Sequence, residues 1–400
     1  MATPYYTSTD LIESVKRKIS IPISQVTFTE DDILAFANEE MMISQVPSVM
    51  VYHEEYFVAT LDVPLVTGTT AYSVPERAIG GKIRDIHYKN TEDNLQEMTQ
   101  VNLDDRSHFS SGQSSAGIHK YYFRGDQVVL VANDTSSLIG DLRFDYFLRP
   151  NLLVQETRVA TSSSFVKDIT VADASVIVAG DIFTIGSVSL IADTDFAIVS
   201  GNNTTTAANL ASAINTDGTY AATPSTNIIT IRYSVISTAF STDSVVSAYT
   251  IPTTQGIEFS AALPSNLSAG SIIDFLQTRG GHRTLKMGVI LPSTITTTII
   301  TFAEGTVPTD FIVGDYIASE FECIIPQIPD DLHSGLSERT CARILASLGD
   351  AEGLKMSNKK IDEIEARQGT LLDNRAEGSP QKINNRNSLL RFAKRRLNRR

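Results

Sequence analysis

Residues 326–350, PQIPDDLHSGLSERTCARILASLGD, are the stretch that decides the fold prediction for this chain of 400 residues. Two prolines mark its start, and apolar residues then recur every three or four positions, as in a helix with one buried face. Those residues are Leu332, Leu336, Ile344, Leu345 and Leu348. Gly349 is a predicted C-cap, because glycine tolerates the left-handed conformation there.

A second apolar stripe follows the first one. Its members are Leu354, Ile361, Ile364 and Leu371. A turn of four residues between the two stripes predicts an antiparallel helix hairpin over residues 326–378.

The chain then ends in a basic tail, residues 379–400, SPQKINNRNSLLRFAKRRLNRR. Residues 381–400 hold eight Lys or Arg and no Asp or Glu. The formal net charge of the whole chain is −13, so subtracting +8 leaves −21 for residues 1–380. A block of one charge sign on a body of the opposite sign favours interaction with a partner.

Three interpretations of the tail are open: binding of nucleic-acid phosphates, docking in an acidic groove of a partner protein, or a solvated end. Docking is favoured because phosphate binding does not require apolar side chains among the basic ones. A body at −21 also repels DNA, and no aromatic stacking surface accompanies the arginines. The predicted docking residues are Lys382, Arg386, Leu389, Leu390, Arg391, Phe392, Lys394, Arg395, Arg396, Arg399 and Arg400.

Residues 1–62 are also predicted to be helical. Asp10 with Glu13, and Thr29 with Asp32, have the spacing of helix N-terminal capping boxes. Pro47 is expected to break the second helix. Two apolar stripes follow the caps, namely Leu11, Val15 and Ile19, then Ile33, Leu34, Ala37 and Met41. We expect these helices to pack on the C-terminal hairpin, so that both chain ends form one helical core.

Residues 63–158 change to the alternating pattern of β-strands. HKYYFRGDQVVLVAN, residues 119–133, predicts a hairpin that turns at Gly125 and Asp126. Residues 141–150, DLRFDYFLRP, predict a strand with one buried face. That face carries Leu142, Phe144, Tyr146 and Leu148, and the opposite face carries Arg143, Asp145, Phe147 and Arg149.

Residues 159–255 are rich in Ser and Thr and poor in charge, which is typical of a β-rich module. We interpret them as an inserted module with one helix around Leu210 and Ile214. Residues 256–325 are interpreted as a small β unit. A weak repeat links VAGDIFTI (178–185), SAGSIIDF (268–275) and IVGDYIAS (312–319), each with a glycine before an apolar strand. Common use of strand and turn residues is the alternative explanation.

No motif for catalysis or for a cofactor stands out. The six histidines are scattered, and Asp330, Asp331 and His333 fit a helix start, where carboxylates are favoured. We therefore expect no enzyme, no cofactor and no metal. Cys323 and Cys341 are expected to be buried free thiols. The start of the chain lacks the features of a signal peptide, and no run of about 18 apolar residues occurs, so folding in a reducing cytoplasm without membrane insertion is expected.

Several stretches in order resemble the head-to-tail adaptor (connector) proteins of tailed bacteriophages. The C-terminal ones are IPQIPDDLHSGLSERTCARILASLGDAEGL and LLDNRAEGSPQKINNRNSLLR. The earlier ones are DLIESVKRKISIP, TFTEDDILAFANEEM, VPSVMVYHEEYFVATLDVPLVTGTTAYSVPERAIGGKIRDI, YYFRGDQVVLV, FLRPNLLV and FIVGDYIA. The resemblance does not extend to residues 159–255.

The resemblance implies a structural virion protein at the phage neck, made in the host bacterial cytoplasm. It implies a ring, usually of twelve copies, that lies under the portal protein and contacts a downstream tail or neck protein. Genomic DNA passes through the lumen without sequence-specific binding, and the extended C-terminal arm reaches into the portal. Carried onto this chain, the arm is residues 379–400.

The resulting prediction is an α+β fold. It has a helical core built from both chain ends (1–62 and 326–378), a β-rich part (63–158), the insertion (159–255), the small β unit (256–325) and the arm (379–400). Two alternatives stay open. One is a DNA-binding virion protein that grips the packaged genome through its basic tail. The other is an enzyme acting on surface glycans through the insertion, although paired carboxylates of glycosidase type are not evident there.

Overall fold

The computed structural model describes residues 6–19, 28–102, 119–131, 139–244, 247–279 and 284–372. These residues form a protein of mixed helices and strands, which confirms that part of the predicted class. The helices are α1 (Ser8–Ile19), α2 (Glu30–Glu40), α3 (Val46–Tyr52), α4 (Asn203–Asp217), α5 (His333–Leu348) and α6 (Ala351–Leu372). The predicted arm lies outside the described residues.

The N-terminal caps form three residues earlier than predicted in one helix and as predicted in the other. In α1, Asp10 receives a hydrogen bond from the backbone N–H of Thr7 (3.0 Å), so Thr7 and Asp10 make the cap and the predicted pair with Glu13 is wrong. In α2, the Thr29 and Asp32 capping box is confirmed. Both caps supply acceptors for backbone donors that the first helical turn leaves unpaired.

Pro47 does not break the second helix as predicted. A π-helical turn, Met41–Gln45, joins α2 to α3, and Pro47 lies in the first turn of α3. In the π-helical turn the N–H of Val46 donates to the carbonyl of Met41, five residues earlier, and this wider turn accommodates the proline ring and its missing N–H. The widened turn therefore lets the chain stay helical from residue 30 to residue 52.

The C-terminal helix hairpin is present, with Gly349 in the left-handed conformation at the end of α5 (φ 74°). Only Gly349 and Asp350 separate α5 from α6, so the predicted turn of four residues is wrong. Leu332, Leu336 and Ile344 are buried as predicted, whereas Leu348 is 43% exposed. The first residues of the stripe are therefore in the core and its last one is not.

Helices from both ends of the described chain share one hydrophobic core. We call α1, α2, α3, α5 and α6 the helical body. Its core combines Leu11, Val15, Ile33, Leu34, Ala37, Met41, Val49, Leu332, Leu336 and Ile344. Strand residues such as Tyr316 and Cys323 complete this core. Asn38 of α2 also exchanges two hydrogen bonds with the backbone of Leu153 (2.7 and 3.1 Å).

Two four-stranded sheets pack face to face beside the helical body. The first has the order β1-β8-β3-β4, built from β1 (Val58–Pro64), β8 (Gly140–Leu148), β3 (Ala78–Asn90) and β4 (Leu95–Glu97). The second has the order β2-β7-β6-β5, built from β2 (Ala71–Ser73), β7 (Gln127–Val131), β6 (Lys120–Arg124) and β5 (Thr99–Gln100). Both contribute to one core.

The two strand predictions for this part hold. β6 and β7 form the predicted hairpin, with Gly125 at φ 62° in its turn. The predicted face of β8, Leu142 through Leu148, is buried in the core between the sheets. Phe147 was predicted on the solvent face but is also buried, and the Lys82 Nζ lies 4.3 Å from its ring centroid.

A nine-stranded sheet contains strands from both the insertion and the small β unit. Its main path is β13 (Ala221–Ser225), β14 (Ile228–Tyr233), β10 (Ala160–Val171), β21 (Tyr316–Ser319), β18 (Ile272–Leu276) and β19 (Thr284–Ile290). Three further strands branch from it, β16 (Tyr249–Thr250), β17 (Thr254–Phe259) and β20 (Ile299–Ala303). β10 pairs with β14, β16, β17 and β21, so this one strand joins the two parts.

The insertion has a hydrophobic core of its own, which includes Ile169 and Val171 of β10. Its sheet has the order β12-β11-β15, with β12 (Val188–Ile191), β11 (Ile182–Ile185) and β15 (Phe240–Thr242). The predicted helix is present as α4, and Leu210 and Ile214 are buried. Two short parallel strands, β9 (Leu152–Leu153) and β22 (Glu322–Cys323), pair with each other beside the helical body, and Leu153 and Cys323 contribute to its core.

The three stretches of the predicted repeat form turns with the same backbone conformation and the same hydrogen bond. The glycines that precede β11, β18 and β21 all have positive φ, at 95°, 84° and 96° for Gly180, Gly270 and Gly314. In each turn the residue after the glycine accepts a side-chain hydrogen bond from a backbone N–H three residues earlier. The pairs are Val178 to Asp181 (3.1 Å), Ser268 to Ser271 (3.3 Å) and Ile312 to Asp315 (3.0 Å). The repeat is therefore shared turn geometry.

Candidate functional site

The residues predicted to dock, from Lys382 to Arg400, lie outside the described residues. The last described element is α6, which ends at Leu372, seven residues before the basic tail begins. The candidate site is therefore built from the surfaces of the helical body that carry this tail.

Ion pairs fasten α5 to α2 at the centre of the helical body. Arg343 donates to Glu40 (2.6 Å) and to Glu39 (2.8 Å), and these contacts raise the pKa of Arg343. Arg339 contacts Glu40 (3.8 Å) and also forms an ion pair with Glu365 of α6. Because Arg339 bridges three helices, it fixes the hairpin on the N-terminal helices.

A buried carboxylate, Glu338, makes a second connection between three helices. It pairs with Lys18 of α1 (2.9 Å), accepts a hydrogen bond from Ser357 of α6 (3.0 Å) and lies 3.7 Å from Lys360. Burial alone would raise the pKa of Glu338, but the hydrogen bonds and charges of Lys18, Ser357 and Lys360 outweigh it and lower the pKa. The carboxylate is therefore ionised where it holds the hairpin.

Glu338→Gln is expected to lower the free energy of unfolding at pH 7 by about 2 kcal/mol, since a hydrogen bond to a charged group is lost. The folded pKa lies below the unfolded value near 4.5, so the stabilisation is present above that value and is lost as the pH falls through the folded pKa. Urea unfolding of both proteins across pH 3 to 7 measures it. The difference should vanish at the acid end.

Glu30→Gln is the matched control, because its pair with Lys16 (2.7 Å) is about half exposed. It should cost about 0–1 kcal/mol at pH 7. A Glu338 variant that behaves like the Glu30 variant at every pH would contradict the assigned role.

An exposed stripe runs the length of α2 and α3 on the outside of the helical body. It consists of Asp31, Ala35, Glu39, Ile43, Pro47 and Val51, all exposed and spaced four residues apart. Ile43 is 59% exposed and Val51 is 78% exposed. Residues 41–53 contain no Asp, Glu, Lys or Arg. The stripe is thus acidic in its first half and apolar in its second.

The outer face of α6 has the opposite character in its first half. Met356 is 68% exposed and is flanked by Lys355 and Lys359, which are exposed as well. Neither lysine has an ion-pair partner among the described residues. An exposed methionine between two unpaired lysines is a surface that an apolar and acidic partner fits.

A buried polar junction joins the sheets to the helical body. Arg77 donates to both oxygens of Asp274 (2.7 and 2.8 Å) and to Glu320 (3.1 Å), and Asp274 is fully buried. Asn151 donates to Asp274 (3.1 Å), and its own N–H donates to Gln327 (2.7 Å), just before α5. The buried carboxylate of Asp274 thus has a cationic partner and several hydrogen bonds, as a buried charge requires, and the junction has a structural role.

The remaining residues singled out from the sequence have the following surroundings in the described part of the chain. His333 is buried, with its Nε2 3.2 Å from the carbonyl oxygens of Pro326 and Ile328, and its ring lies 5.3 Å from that of Tyr6. No group of three or more His, Cys, Asp or Glu within the described ranges is placed to hold a metal ion. Cys323 and Cys341 are buried thiols that form no disulfide among the described residues, as predicted. No described helix is long and apolar enough to cross a membrane.

Sequence reasoning missed both the junction and the exposed stripe. Arg77 and Asp274 are separated by 197 residues, and no local pattern links them. The stripe did leave a signal, because residues 41–53 lack charge in a chain whose charged fraction is 20%. No family model and no curated protein matches this chain.

Proposed function

We propose that this chain is a structural virion protein, a head-to-tail adaptor that forms a ring under the portal and links the capsid to the tail. Its C-terminal arm docks on the portal, and DNA passes through the lumen of the ring. The observation that carries the proposal is the ordered series of stretches that resemble the adaptor family, which includes both ends of the chain.

The arrangement of the helical body supports this proposal. The stretches that resemble the family at the two ends, around α1, α2 and α5, pack on one another through Lys18 with Glu338 and Arg343 with Glu39 and Glu40. The tail continues from α6, which is held to the same body by Arg339 and Glu365. A rigid base for a docking arm suits an adaptor, because anchoring the arm reduces the ordering cost of binding.

The charge distribution of the sequence is consistent with a DNA channel. Residues 1–380 carry −21, from −13 minus +8 for the tail. A wall that repels phosphates offers moving DNA no points of strong attachment. The basic tail is separated from that wall by its attachment to the portal.

Removal of the tail tests the proposal. A chain that ends at Gly378 is expected to fold, as judged by circular dichroism, and to lose binding to its portal in a pull-down. Retained portal binding by the shortened chain would overturn the docking role of residues 379–400.

Two matched variants of the full chain separate the sources of docking energy. One replaces Leu389, Leu390 and Phe392 by Ser, and the other replaces Arg386, Arg391 and Arg395 by Gln. Apolar docking in a groove predicts the larger loss for the first variant and little change with salt. A shift assay with duplex DNA across a salt series, with and without residues 381–400, tests the alternative. Tail-dependent DNA binding with no portal binding would favour the DNA-binding protein.

A further inference from the structure

Over its apolar half, the exposed stripe of α2 and α3 is not covered by any other described part of the chain. Ile43, Pro47 and Val51 lie on the outside, whereas their neighbours Met41, Val46 and Val49 fill the core of the helical body. Residues four apart drift around an α-helix, because one turn holds 3.6 residues. The π-helical turn at Met41–Gln45 is wider and drifts in the other sense, so it offsets part of this drift and keeps Ile43 and Val51 near the same side.

Charge limits what can cover this stripe. Two copies of a body that carries −21 repel each other over most of their surfaces. The exposed residues within 41–53 carry no charge, and the half of α6 around Met356 is basic. Residues 351–361 hold Lys355, Lys359 and Lys360 against a single carboxylate, Glu352. Both surfaces therefore let another copy approach without like-charge repulsion.

The two surfaces also complement each other. Met356 offers an exposed apolar side chain to Ile43 and Val51, and Lys355 and Lys359 offer unpaired ammonium groups to the acidic half of the stripe. In that half, Glu39 is the carboxylate nearest to Ile43, about 6 Å away along the helix, and its pair with Arg343 (2.8 Å) is partly exposed. Apolar residues beside opposite charges fix both the contact and its register.

We propose that the outer face of α6 in one copy, centred on Met356, docks on the α2–α3 stripe of a second copy, centred on Ile43 and Val51. The choice of a second copy as occupant rests on the proposed function, which requires many copies. The contact joins two different surfaces and is therefore head-to-tail, so each copy can engage one neighbour on each side. A repeated contact of this kind closes into a ring when the rotation allows it.

Single cysteines in two separately tagged chains test the contact. One chain carries Ile43→Cys and the other carries Met356→Cys, and both keep Cys323 and Cys341, which are buried. When the two chains are mixed under mild oxidation, a disulfide between the introduced cysteines should join the two differently tagged chains. The rate should exceed that of a control pair by roughly tenfold or more, because docking raises the effective concentration of the thiols.

The control pair replaces Ile43→Cys by Ile290→Cys, since Ile290 of β19 is 67% exposed on another surface. Adding Lys355→Glu and Lys359→Glu to the Met356→Cys chain should slow the reaction toward the control rate. Both lysines are exposed, so circular dichroism should show an unchanged fold.

Equal rates for the test pair and the control pair would overturn the inference. So would a predominance of disulfides between two Ile43→Cys chains, because that product needs two identical surfaces to meet. Failure of the proposed function can be distinguished from failure of this contact, because the cross-linking reactions contain no portal. A cross-link between copies together with no portal binding would retain the contact and remove the adaptor role.

Discussion

Arg77→Met is expected to lower the free energy of unfolding by about 3–5 kcal/mol, since it leaves a buried carboxylate without its cation. Asp274 is fully buried, and both of its oxygens receive hydrogen bonds from the Arg77 guanidinium. The other donors to Asp274 are neutral, namely Asn151 and the backbone N–H groups of Gly288 and Phe321. These neutral donors do not compensate the negative charge of the Asp274 carboxylate.

The position of Arg77 makes this loss larger than that of an isolated pair. Its guanidinium lies 4.3 Å from the ring centroid of Phe321, and the substitution removes this contact as well. Its backbone carbonyl, which the substitution leaves in place, accepts a hydrogen bond from the backbone N–H of Arg149 (2.7 Å) at the end of β8. Phe321 has φ 65°, which is strained for a bulky residue. The junction therefore connects the first sheet to β18 and to a strained turn before β22.

Urea unfolding followed by far-ultraviolet circular dichroism measures the effect, because the chain contains no Trp for fluorescence. Arg77→Met with Asp274→Asn should recover part of the loss, since no charge then stays buried without a partner. Arg232→Met is the matched control. It breaks a partly exposed pair with Glu258 (2.7 Å) and should cost about 1 kcal/mol or less. A similar, small loss at both arginines would refute the importance of the junction.

Deletion of residues 159–255 is expected to abolish folding of the small β unit, and this is the largest effect that we predict. The deletion removes β10, which lies between β14 and β17 and also pairs with β21. Phe165 of β10 is fully buried and contacts the ring of Phe311 (centroids 6.2 Å apart). Its loss leaves the facing strands without backbone partners and their apolar faces exposed.

A shorter deletion should keep the fold. Val171 of β10 pairs with Tyr249 of β16, and the N–H of Ala172 donates to the carbonyl of Ala248 (2.9 Å). Replacing residues 173–247 by Asn-Gly joins two antiparallel strands through a two-residue turn, which is the connection that such strands favour. This variant removes β14, so β10 becomes an edge strand, but it keeps all of β10 and the pairs of β10 with β17 and β21.

Solubility and a cooperative thermal transition compare the two deletions. The shorter one should retain the transition of the helical body and bind the portal like the full chain, whereas the longer one should be insoluble or lack the transition. A stable, soluble chain without residues 159–255 would show that β10 is dispensable. If the shorter deletion folds but fails in tail assembly, the insertion itself has the contact role under the proposed function.

The local predictions succeeded where neighbours in sequence decide the structure. The capping box of Thr29 and Asp32, the turn at Gly125 and the C-cap at Gly349 each depend on residues within about four positions. The stripes of α2 and α5 were visible because helical periodicity places their apolar residues on one side. Even the repeat was detectable, since positive φ in a turn favours glycine.

Errors occurred where packing overrides a local preference. Pro47 continues a helix because a π-helical turn precedes it, and Phe147 is buried although it alternates with buried neighbours. Leu348 continues an apolar stripe but is exposed, since α5 ends there. In each case the surrounding structure decides the outcome: helix continuity at Pro47, and burial at Phe147 and Leu348.

The sequence by itself determined the helices of both ends, the hairpins, the glycine turns and the separation of a basic tail from an acidic body. These features depend on local periodicity, backbone stereochemistry and net charge, which a linear pattern records. Only the tertiary structure decided that Arg77 meets Asp274, that β10 joins two parts of the chain, and that Ile43 and Val51 lie outside the core. The physical reason is that such contacts form between residues far apart in the chain, and burial is a property of the completed packing.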